Sequence, residues 1–133
     1  MCLTYSESET NKLRAASKDY FIFYKVLKPS YSGIYYTPLQ KKPVDVKKGF
    51  VFKYNRRSVK VSYNEIGWGI DKGIHVLTTR KDAREWKQGY EKIWGYVKIF
   101  KVKCLKKDLV GTNFSKDSAV FTKIQFVDGK PIR

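Results

Sequence analysis

The chain reads as an α+β protein: a single compact domain dominated by a curved, mostly antiparallel β-sheet, with one N-terminal helix and one helix near 79–90. Three observations predict this. β-Branched and aromatic runs bounded by Gly, Pro, Asn and Asp recur from residue 20 onward. Two segments carry helix-start signals, Ser6 with Glu9 and Thr79 with Asp82. The 133 residues, 42% hydrophobic and 16% aromatic, suffice for one core and argue against disorder. Within domain 1–133, residues 1–19 are expected to form the N-terminal helix and 20–133 the β-rich core.

Taken in order, Ser6 and Glu9 make a capping box, and Leu13 with Ala16 give an apolar face to a helix ending near Ser17. Residues 20–28 (Tyr-Phe-Ile-Phe-Tyr-Lys-Val-Leu-Lys) are too continuous to alternate, which predicts a central strand covered on both faces. Pro29, Ser30, Ser32 and Gly33 end it. Ile34, Tyr35 and Tyr36 read as a short strand, and Pro38 and Pro43 confine the next segment to a loop or an edge. Stretches 49–54 and 58–63 read as a hairpin joined through Asn55, Arg56 and Arg57. Its alternation sets Phe50, Phe52 and Tyr54 with Val59, Val61 and Tyr63 on the core side. Lys53 and Lys60 then point away, and the two arginines stand at the tip.

Stretch 67–73 holds three glycines without dinucleotide-binding spacing and is expected to bend around a packed Trp68; such a loop also presents amides to an anion. Ile74, Val76 and Leu77 form a strand, Thr79 with Asp82 caps a helix, and Ala83 and Trp86 share one face of it. Stretch 94–105 is a long strand whose apolar set changes sides at Ile99 and Phe100, where a bulge is expected. Stretch 119–127 is the last strand, closing at an Asp128 and Gly129 turn.

The net charge is +16, and residues 20–62 hold ten basic residues against one acidic. A field this one-sided attracts polyanions, so the expected partner is nucleic acid or a nucleotide. Lysine supplies 22 of the 28 basic residues, an excess that an AT-rich genome also writes. The first residues lack a basic and apolar leader pattern, and no apolar run approaches the ~18 residues of a membrane span, so a cytoplasmic protein without a membrane partner is expected. Two cysteines and one histidine supply neither a disulfide framework nor a zinc set, and no cofactor or metal site is expected.

Nucleophilic catalysis needs a histidine held by a carboxylate, and His75 is the single candidate. It alternates with Ile74 and Val76, which makes it a sheet residue first; no catalytic residue is assigned. The residue types instead suit ligand contact. Lys53, Arg56, Arg57, Lys60 and Arg80 are the candidate phosphate-binding residues, and Tyr54, Tyr63 and Trp68 the candidate base-stacking residues.

The opening Met1-Cys2-Leu3, the strand Phe23-Tyr24-Lys25-Val26-Leu27, and Gly73-Ile74-His75-Val76-Leu77-Thr78-Thr79 with Ala83 and Trp86 carry a resemblance, extended by Asp108-Leu109-Val110 and Ala119-Val120-Phe121-Thr122-Lys123-Ile124. Together they resemble small phage and prophage proteins of unassigned function. That likeness implies a viral or mobile-element origin and action on a host, including on its nucleotide immune signals. A second likeness is to ADP-ribosyltransferase-type sheets, whose catalytic residues do not align here. Three functions fit: a non-enzymatic binder of a phosphate-bearing ligand; a metal-independent nuclease or phosphodiesterase, for which His75, Arg80, Tyr54 and Lys53 are the right residue types, or an NAD-consuming transferase; or a protein inhibitor docking on an acidic host enzyme. The first is expected.

Overall fold

The computed structural model describes residues 3–30, 34–37, 42–55, 59, 61–64, 67–70, 72–113 and 115–132, with the backbone alone for Leu3, Tyr63, Asn64, Gly67 and Trp68. In chain order the elements are β1 (Leu3–Thr4), α1 (Glu7–Arg14), β2 (Tyr20–Pro29), β3 (Tyr35–Tyr36), β4 (Pro43–Val44), β5 (Val51–Lys53), β6 (Ser62–Asn64) and β7 (Gly67–Ile70). There follow β8 (Ile74–Leu77), α2 (Arg80–Trp94), β9 (Lys98–Leu105), a 3-10 turn (Lys106–Asp108), β10 (Leu109–Thr112), β11 (Ser118–Phe121) and β12 (Lys123–Ile132).

The described strands form two sheets. One of nine strands runs β10-β11-β8-β2-β9-β12-β5, with β3 and β4 attached beyond β2; one of three runs β1-β7-β6. Each registered pair is antiparallel, and the architecture is α+β and sheet-dominated, as expected. Both helices begin where their caps predict. Ser6 Oγ accepts from Glu9 N–H at 3.3 Å, and Thr79 Oγ1 accepts from Asp82 N–H at 3.1 Å. α1 stops at Arg14, a turn earlier than Ser17.

β2 and β9 are the spine of the large sheet, paired without a shift from Tyr20 opposite Leu105 to Leu27 opposite Lys98. One face carries Phe23 and Leu27 with Phe100, Val102, Cys104, Ile124 and Phe126 into the main core. On the other, Val26 and Ile99 pack with Leu77, Ala83, Trp86 and Tyr90 beneath α2. Since both sides are covered here, Ile99 and Phe100 are buried on opposite faces and the expected bulge is absent from the β2–β9 register. The double cover does not extend along the whole of β2: Tyr20 is 46% and Ile22 42% exposed.

Three further expectations are corrected. Among the described residues, stretches 49–54 and 58–63 do not pair: β5 joins β12, and β6 joins β7. The reason is packing, since Phe52 packs against the main core while Val59 belongs to a separate cluster with Ile70 and Val120. Of the glycine-rich stretch, Gly67–Ile70 is strand β7 rather than a loop; Lys72 and Gly73 bend into β8, and Asp71 lies outside the described residues. The last strand is two strands, β11 beside β8 and β12 beside β9, turning at Thr122, whose N–H donates to Asp108 O at 2.9 Å. Asp128 and Gly129 do not end β12; they sit in a register shift between Phe126 and Pro131, with Gly129 at φ +71°.

Candidate functional site

The uncovered part of the large sheet is where the positive charge collects. Alternation puts Lys53 and Val51 of β5, Lys123 and Gln125 of β12, Lys101 and Lys103 of β9, and Tyr20 and Ile22 of β2 on one face. Lys53 and Lys123 are directly opposite each other. Like charges at that position, with Cβ atoms ~5 Å apart, destabilise a sheet. None of the four lysines has a carboxylate partner among the described residues; the ion pairs found there are Lys12 and Lys116 with Glu9 and Lys47 with Asp45. Lys103 Nζ lies 4.6 Å from the centroid of the exposed Tyr20 ring, a cation–π contact.

Two depressions extend this face. One, between Lys103 and Lys123, is also lined by Val51, Leu105, Asp108 and Gln125. The other shares Leu105 and runs on past Lys106 and Lys107 to Arg14, with Asp19 as the one carboxylate residue in its lining. Lys106 Nζ donates to Ala16 O at 2.8 Å and Arg14 Nη2 to Val110 O at 3.4 Å, so both cations are held in place by the backbone. The result is a basic track that crosses β5, β12 and β9 and continues over the 3-10 turn.

Of the predicted contacts, Lys53 lies on this track, and Arg80 is exposed at the start of α2, which covers the neighbouring part of the same face. Tyr54 is half-buried, edge-on to Phe52, and has Lys42 Nζ 3.7 Å above its ring, so one of its faces is already occupied. Arg56, Arg57 and Lys60 lie outside the described residues, as do the side chains of Tyr63 and Trp68. The residues missed are Lys101, Lys103, Lys123 and Tyr20. Their alternation was readable strand by strand, but only the pairing of β5 with β12 and β12 with β9 brings them onto one surface.

A second feature lies where the sheet parts. β2 and β8 are in register only at Tyr24 opposite Leu77; beyond that point the strands separate. Lys25, 8% exposed, fills the opening and donates from Nζ to His75 O at 2.7 Å. A cavity of about 50 Å3 adjoins it, lined among others by Tyr24, Lys25, His75, Trp86, Tyr90 and Ser118. Burial holds the Lys25 ammonium down to about 8. Burial first, and then the Lys25 charge, push His75 down to about 4, against the opposing pull of the Gly73 and Ile70 carbonyls. Burial raises Tyr90 to about 12 and lifts the Cys104 thiol above its ordinary range. Lys25 shares the inward face with Phe21, Phe23 and Leu27, which the continuous run 20–28 does not reveal.

These groups fix the pH dependence of stability. A histidine at about 4 rather than 6.5 binds its proton more readily when unfolded, so its stabilising contribution is complete above 6.5 and lost as pH falls through 4. Lys25, at about 8 rather than 10.5, likewise makes stability rise from 8 towards 10.5. Tyr90, raised to about 12 from 10, makes it fall above 10. Each of the first two is worth about 3 kcal/mol. The urea midpoint, followed by tryptophan fluorescence, is expected to climb between pH 4 and 6.5, climb again from 8, level off above 9 where the raised Cys104 thiol opposes Lys25, and decline above 10. Lys25→Met removes the second climb and His75→Phe the first.

Among the described residues no three of His, Cys, Asp and Glu come together, and no described helix is long and apolar enough to cross a membrane. No protein-family model, curated protein or solved structure matches the chain.

Proposed function

We propose that the protein is a non-enzymatic binder of a phosphate-bearing ligand, and that the ligand is single-stranded nucleic acid lying across the open sheet face. The observation that carries this is the placement of Lys53, Lys101, Lys103 and Lys123 on one uncovered surface beside Tyr20, at a cost in like-charge repulsion that a polyanion relieves. A basic surface with an exposed aromatic ring suits sequence-tolerant binding, in which phosphates meet lysines and a base stacks on the ring. The polymer is favoured over a single nucleotide by extent: the lysines are spread over three strands, β5, β12 and β9, rather than gathered about one phosphate-sized point.

Fluorescence anisotropy with labelled single-stranded oligonucleotides tests this. With about four phosphates neutralised, log K should fall against log salt with a slope of about −3, and Lys123→Gln alone should flatten it by about 0.7. Mononucleotides should not compete. An affinity independent of salt, or full displacement by a mononucleotide, would sink the reading.

A further inference from the structure

Most lysines keep the ammonium in water. One enclosed by apolar side chains without a counter-ion is driven towards the neutral amine, the form with a lone pair to share. Lys25 is in that position. It is 8% exposed on the inward face of β2, and its Nζ donates to His75 O of β8 at 2.7 Å, beside the point where the two strands part. The cavity it helps to line is bounded by aromatic rings from both faces of the sheet, Phe52 and Tyr54 from the main core and Tyr24, Trp86 and Tyr90 from beneath α2. No Asp or Glu is among the lining residues. The titratable group that acts on Lys25 is the Cys104 thiol, which burial keeps uncharged. An ammonium carries three N–H donors, and among the described residues this one has a single acceptor, the His75 carbonyl.

We propose that Lys25 is a nucleophilic lysine that captures an aldehyde as a Schiff base in this cavity. As the neutral amine, Nζ keeps one N–H on the His75 carbonyl while its lone pair forms a bond to the aldehyde carbon and the carbonyl π pair moves to oxygen. A proton passes from nitrogen to that oxygen. With the proton shed earlier by the ammonium, the oxygen leaves as water and the C=N bond forms. Ammonium and aldehyde thus become a protonated imine and water, with the charge unchanged. The imine has one N–H, and the site supplies it with one acceptor, His75 O. This site is separate from the basic track and does not depend on the nucleic-acid reading.

Reductive alkylation of the wild type with butanal and cyanoborohydride at pH 7, held at low conversion and mapped by peptide mass spectrometry, tests the assignment. At that pH an amine titrating at about 8 is about one-tenth neutral, against about one part in 2,500 for an ordinary lysine. Even with entry restricted by the walls, Lys25 should be alkylated about tenfold or more faster than the mean of the exposed lysines. In guanidinium it should fall to their rate. The α-amine, which ionises in the same range in open water, should react alike in the native and the unfolded chain and so calibrates the reagent. Alkylation of native Lys25 no faster than that of the exposed lysines, or a preference for Lys25 that persists in guanidinium, would overturn the proposal. The wild type alone decides it, so no variant has to fold.

Discussion

Gly73→Ala is expected to lower the thermal midpoint by roughly 10 °C, a loss of about 3 kcal/mol or more. Two costs add. Gly73 has φ +119°, a conformation that side chains rarely adopt, with strain of about 1–3 kcal/mol. An added Cβ would lie 2.6 Å from Val120 Cγ1 and 2.9 Å from Val59 Cγ1, inside a packed cluster where extra volume costs about 1–3 kcal/mol. The two parts separate in a double-mutant cycle with Val120→Ala. That change removes the nearer methyl, so the pair should be less destabilised than the sum of the singles by about 1 kcal/mol, while the backbone strain persists. A Gly73→Ala protein melting with the wild type would show that this backbone relaxes freely. Gly73 leads directly into β8.

Replacing Lys53, Lys101, Lys103 and Lys123 together by glutamine is expected to reduce affinity for single-stranded oligonucleotides by more than ~100-fold at low salt, since about four counterion-releasing contacts are lost. The same change should leave the thermal midpoint unchanged or raise it, because Lys53 and Lys123 no longer face each other across β5 and β12. Lost binding with retained or improved folding is the signature of a surface held for a ligand. The control removes four exposed lysines elsewhere, Lys28, Lys48, Lys92 and Lys130. It lowers net charge equally and should weaken binding far less. Equal losses from the two sets would assign the attraction to the overall field of the protein rather than to this face.

What was legible in the sequence is what depends on near neighbours. The start of α2 follows from Thr79 and Asp82, three residues apart, and its buried face from Ala83 and Trp86. β2, β8 and β9 are legible as β-branched and aromatic runs. Strand partners are not legible, because pairing is decided by which apolar sets share a core: Phe52 packs into the main core and its strand joins β12, although 58–63 is nearer in sequence. Coverage is equally hidden. The run 20–28 has the same apolar character throughout, yet α2 extends over Val26 and stops short of Tyr20 and Ile22. The open face exists because of that offset, and no periodicity in β2 encodes it. Lys25 is hidden in the same way: a run read as too continuous to alternate does not set it inward, and its place follows from the separation of β2 from β8.

The corner at Thr122 also bears on how the chain reaches its fold. β11 inserts between β10 and β8, and β12 between β9 and β5, so one continuous segment, 118–132, joins both halves of the large sheet. Until it docks, β8, β9, β10 and β5 each present a bare hydrogen-bonding edge, the condition in which strands recruit other chains. The pairings that resolve this span long sequence separations, which slows folding relative to a fold built from local contacts. During synthesis, therefore, most of the sheet must wait with open edges for that segment to emerge. The net charge of +16 then acts on the growing chain as well, keeping unfinished sheets apart.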